Sequence, residues 1–75
     1  FNPSTQVRFT LPEAGKVRLE VYDVNGRRVR VLLDEVRAAG SHTVAFEAGD
    51  LPSGLYVARL RSASGSASRL MTLIK

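Results

Sequence analysis

Apolar residues recur at every second position along most of this chain. Val7, Phe9 and Leu11 alternate with Arg8 and Thr10. Val17, Leu19 and Val21 alternate with Arg18 and Glu20. Val44 and Phe46 alternate with Thr43 and Ala45, and Tyr56, Ala58 and Leu60 alternate with Arg59 and Arg61. Val29, Val31 and Leu33 do the same against Arg28, Arg30 and Asp34, with one break at Leu32. Successive side chains on a strand point to opposite faces, so a period of two marks strands with one face toward a core and one toward water. A last run, residues 69–74, is apolar at both parities, which fits either a more deeply buried strand or a pattern that does not decide the face.

The punctuation between these runs agrees. Pro12-Glu13-Ala14-Gly15 separates the first two strands, and Asn25-Gly26 separates the second and third. Asn-Gly predicts a type I′ hairpin, because that turn needs positive φ at both central residues. Ala38-Ala39-Gly40 opens the fourth strand, and Ala48-Gly49-Asp50 with Pro52-Ser53-Gly54 precedes the fifth. The Ser/Ala/Gly-rich residues 62–68 read as a hairpin loop before the sixth. Residues 35–39 fit one helical turn, too short to stand alone. A sheet with one apolar face buries it only against a second layer. About six or seven short strands at roughly ten-residue spacing therefore predict an all-β fold, a small immunoglobulin-like antiparallel β-sandwich. No linker or internal repeat interrupts residues 1–75, which read as a single domain.

Composition changes this picture little. The chain is 44% hydrophobic and 24% charged, in the range of a folded globular domain. Its 75 residues include no cysteine, so neither a disulfide nor a thiolate metal site supports so small a core. No apolar run approaches the ~20 residues of a membrane-spanning helix. The chain opens on Phe1-Asn2-Pro3, without a signal peptide. It reads as a module excised from a longer multidomain protein, which would carry any export signal.

Charge adds one asymmetry. The net charge is +4, and residues 51–75 hold Arg59, Arg61, Arg69 and Lys75 without an acidic residue. These cations alternate with apolar residues instead of clustering with stacking aromatics, so the pattern indicates solvated strand faces and no nucleic acid.

Candidate chemistry is sparse. His42, the sole histidine, shares parity with Val44 and Phe46, and adjacent Ser41 faces the opposite way, so the pair forms no nucleophile and base. Asp23, Asp34, Glu35, Glu47 and Asp50 fall in or near turns, where Asx side chains bond turn amides. Loop oxygens leave calcium open at Asp23/Asn25 or Glu47/Asp50, although no dense ligand spacing supports it. No catalytic, cofactor-binding or metal residues are assigned. A carbohydrate-binding accessory module of a glycoside hydrolase is an alternative, but with no tryptophan its platform rests on Tyr22; a structural spacer is another.

Four stretches together resemble one family. Residues 1–9 (FNPSTQVRF), 17–29 (VRLEVYDVNGRRV), 51–57 (LPSGLYV) and 69–75 (RLMTLIK) are similar, in order and spacing, to the type IX secretion C-terminal sorting domain, type A. The related immunoglobulin-like domain of flagellar hook-capping proteins shares the hairpin and the late Gly-x-Tyr. It has a longer insert before that turn, so the short form here favours the sorting domain. Phe46 departs from the tryptophan often found at that place. The resemblance implies a non-catalytic module at the end of a secreted protein, exported to the outer-membrane cell surface or beyond. Its implied partners are the outer-membrane secretion machinery, a sortase-like peptidase, surface lipopolysaccharide, and covalently linked upstream catalytic or binding domains. On this reading the last two strands, residues 54–60 and 69–75, are the recognised element. Gly54, Tyr56, Arg59, Arg61, Arg69 and Lys75 are its candidate residues, the cations steering it to an acidic partner.

Overall fold

The computed structural model describes residues 4–74. They form six strands: β1 (Ser4–Leu11), β2 (Gly15–Asp23), β3 (Arg28–Arg37), β4 (Gly40–Glu47), β5 (Gly54–Ser62) and β6 (Gly65–Leu73). All pairings are antiparallel. β1 and β4 form a two-stranded sheet, and the other sheet has the order β3-β2-β5-β6. The sandwich is thus immunoglobulin-like but uneven, two strands facing four.

The alternating residues meet between the sheets. Val17, Leu19 and Val21 of β2, Tyr56 and Ala58 of β5, and Met71 and Leu73 of β6 pack against Val7 and Leu11 of β1 and Phe46 of β4. Phe46 and Leu19 are the largest fully enclosed side chains. With no disulfide, burial of these groups at about 25 cal/mol per Å² is the main source of stability.

The structure corrects four local expectations. The 23–27 turn is not type I′: Asn25 has negative φ, and only Gly26 is positive, at 82°. Gly26 N–H donates to Asp23 C=O and Asp23 N–H to Arg27 C=O, which makes a three-residue loop with glycine in the left-handed position. Residues 35–37 are strand, not a helical turn, because they complete the pairing of β3 with the start of β2. Val31 does not face the core. The register slips at Leu32 and again at Val29, so each bulge inserts a residue and shifts the parity, leaving Val31 on the outer face opposite Glu20. Finally, β6 is an edge strand that begins at Gly65, so most of residues 62–68 are paired. Only Met71 and Leu73 turn inward, and Leu70 is 66% exposed.

Candidate functional site

The chain passes from the two-stranded to the four-stranded sheet through residues 48–53. Leu51 N–H donates to Ala48 C=O, and Gly54 opens β5 with a φ of 155°. Two residues on, Tyr56 lies in the core and its hydroxyl donates to Pro52 C=O at 2.6 Å. A tyrosine that opens a strand and bonds backbone just upstream is the tyrosine corner of immunoglobulin-like sandwiches. Arg30 braces the same corner from β3, donating to Ala48 C=O at 3.4 Å and pairing with Asp50 at 3.1 Å.

The outer face of the four-stranded sheet follows from register. Arg18, Glu20 and Tyr22 of β2 stand beside Arg61, Arg59 and Val57 of β5, and these beside Ser66, Ser68 and Leu70 of β6. At its centre Glu20 is only 2% exposed. Arg28 donates to its carboxylate at 3.0 Å, Arg18 pairs at 3.1 Å, Arg61 at 3.7 Å, and the Tyr22 hydroxyl donates at 3.1 Å. The Arg28 hydrogen bond, with Tyr22, Arg18 and Arg61, holds the Glu20 carboxyl below the ordinary glutamate range, although burial pushes the other way. One end of the face is charged and internally paired. The other is apolar: Leu55 and Leu70 are exposed there, with Ile74 just past the end of β6. Arg59 lies between the two regions without an ion-pair partner among the described residues.

The model of the secretion system C-terminal sorting domain matches residues 2–74. The chain belongs to that family. No curated protein matches it. The sorting domain is a C-terminal signal for type IX secretion, so it interacts with that machinery and marks a protein exported to the cell surface or extracellular space.

The described residues predicted for recognition do not form one cluster in the sorting domain. Gly54 and Tyr56 belong to the corner. Arg59 and Arg61 lie on the outer face, where Arg61 is engaged with Glu20. Arg69 is opposite Ala58 in the β5–β6 ladder and therefore stands on the inward-facing side, exposed at the sheet edge. Lys75 lies outside the described residues. Two features escaped the sequence reading. Glu20 sits at a solvent-facing parity yet is roofed by arginines, and the signal was its position among Arg18, Arg28 and Arg61. The outward Leu70 and Ile74 were legible only as a strand apolar on both sides.

Asp23 and His42 have structural partners. Asp23 Oδ1 accepts from the amides of Asn25 at 2.9 Å and Arg27 at 3.0 Å, and these bonds, the Arg27 amide foremost, hold its carboxyl below the usual range. The His42 ring stacks on Phe9 at 5.3 Å, with Nε2 2.8 Å from Ala38 C=O. Among the described residues no group of three or more His, Asp or Glu is placed to hold a metal ion.

Proposed function

We propose that the secretion machinery recognises this sorting domain through the outer face and open edge of the β5–β6 hairpin. The observation that carries this reading is the exposed stripe of Leu55 on β5 and Leu70 on β6, with Ile74 just beyond, beside Arg59, which has no ion-pair partner among the described residues. An edge strand offers backbone donors and acceptors to a partner sheet, the stripe adds apolar area, and the cation steers the encounter. Gly54 and Tyr56 contribute indirectly, by fixing the corner from which β5 departs. Arg61 contributes by holding the paired end of the face, Arg69 by adding positive charge to β6, and Lys75 by a further positive charge in the sequence after it.

The domain is non-catalytic on this reading. It is the C-terminal module of a longer chain, joined to upstream catalytic or binding domains. Export ends in attachment at the cell surface, with a sortase-like peptidase and surface lipopolysaccharide as the partners of that step. The engagement of Asp23, His42 and Glu20 in internal contacts supports a scaffold over an active site.

The test fuses the 75 residues to a periplasmic reporter in a host with type IX secretion. The wild-type fusion reaches the medium or cell surface. Leu70→Asp combined with Arg59→Glu leaves the fold intact and strands the reporter in the periplasm. Export of that variant at the wild-type level overturns the hairpin as the recognised element. Retention of the wild-type fusion, with the domain folded, overturns its sufficiency for sorting. Deleting residues 69–75 is less informative, because it also removes Met71 and Leu73 from the core.

A further inference from the structure

The two-stranded sheet leaves part of its partner uncovered. β4 lies at the β3 side, where their ends meet, and β1 lies toward β5 and β6. Between the free edge of β1 and the inward face of β5–β6 runs an open groove of about 330 Å³. Its floor is apolar, formed by Leu19, Ala58, Leu60 and Ala67, and its rim carries Arg8 and Arg69. The groove lining includes no carboxylate, and neither arginine has an ion-pair partner among the described residues.

The edge beside the groove is in a state to accept a strand. β1 pairs with β4 through eight unbroken positions, and no strand lies on its other side among the described residues. Sheets commonly blunt such edges with bulges, proline or inward charges. β3 has two bulges, whereas β1 has none and contains neither proline nor an acidic residue. In the immunoglobulin layout the sheet facing the tyrosine-corner strand has four members. Here it has two, and the groove lies where a third would extend it beside β1.

We propose that this groove takes an extended segment of a partner protein that adds as a strand to β1. Its alternate side chains are apolar on the face toward Leu19 and Leu60 and acidic on the outer face beside Arg8, while Arg69, exposed at the sheet edge, adds positive charge to the groove. Main-chain bonds to the β1 edge give affinity, the floor selects alternate apolar side chains, and the two cations select acidic residues. This is a second binding surface, on the opposite face of β5–β6 from the stripe around Leu70.

A ten-residue peptide alternating valine with glutamate, titrated into the isotope-labelled 75-residue chain, tests this by amide shifts and hydrogen exchange. The expected result is slowed exchange and saturable shifts at residues 6–10 and at Ala67, with none at Leu55 or Leu70. Binding weakens ~10-fold or more in the Arg8→Glu/Arg69→Glu double variant and is lost with lysine in place of glutamate. Both arginine side chains are exposed, so the double variant is expected to fold, and its dispersed amide spectrum verifies this. Three outcomes overturn the proposal: no change at β1, changes confined to the β6 edge, or concentration-dependent protection of β1 without peptide. The last identifies a second copy of this chain as the occupant.

Discussion

Glu20 shows how far a single side chain can depart from the parity of its strand. Alternation points it toward water, and it does lie on the outer face, but Arg18, Arg28, Arg61 and Tyr22 close over it. A carboxyl held low when folded binds its proton less readily than in the unfolded chain. Its contribution to stability is therefore complete above the ordinary glutamate value of about 4.5 and is lost as pH falls through the lower folded value. Asp23 has the same sign. Urea titrations at stepped pH are expected to show stability falling below about pH 4.5. Glu20→Gln lowers the neutral-pH plateau and removes part of that slope; an unchanged slope means the carboxylate is not held by its arginines. At the corner, Tyr56→Phe keeps the ring and removes one buried hydrogen bond, so chemical denaturation should show a loss of about 1–2 kcal/mol. Gly26 has open space where a Cβ would be, so the cost there is backbone strain alone. Gly26→Ala is expected to lose about 1–2 kcal/mol and Gly26→Asn clearly less, since asparagine tolerates the left-handed region.

At the level of strands, much was legible because period two is a geometric property of the pleat. β1, β2, β4 and β5 are oriented as Val7, Leu19, Phe46 and Tyr56 indicate. β3 was not legible in this way. Two bulges shift its parity, and a bulge leaves no mark in the alternation beyond the doubled Leu32-Leu33. β6 was ambiguous for a different reason. An edge strand with one face in the core and an apolar patch on the other has the same pattern as a fully buried strand. The Asn25-Gly26 pair announced a hairpin but not its loop length, which Asp23 sets by bonding two amides across the turn. As for the site, the sequence singled out the β5–β6 hairpin as the candidate but could not show that Arg61 is internally paired or that Arg69 faces the other way. Separating the two outer residues tests this assignment. Leu70→Ser is expected to leave the denaturation midpoint within experimental error while reducing export, whereas Leu73→Ser, in the core, unfolds the domain.

The whole molecule is small, with a Cα radius of gyration of 12.3 Å, and a domain of this size has a stability of only about 4–11 kcal/mol. Phe46→Ala removes the largest enclosed side chain at a cost of about 3–5 kcal/mol, so thermal melts should show a loss of most of the cooperative transition. The pairings of β1 with β4 and β2 with β5 join distant segments, so refolding is expected on the millisecond-to-second scale in stopped-flow measurements. The position of β6 has a consequence in the order of synthesis. Met71 and Leu73 are core residues and the last inward-facing positions of the final strand, and β5 has no partner on that side until β6 emerges. A polypeptide interrupted anywhere upstream of Met71 therefore cannot close this sandwich, whatever else in it has folded. For a sorting domain, being folded thus certifies that synthesis has passed Leu73, and a chain cut short before that point lacks a legible address.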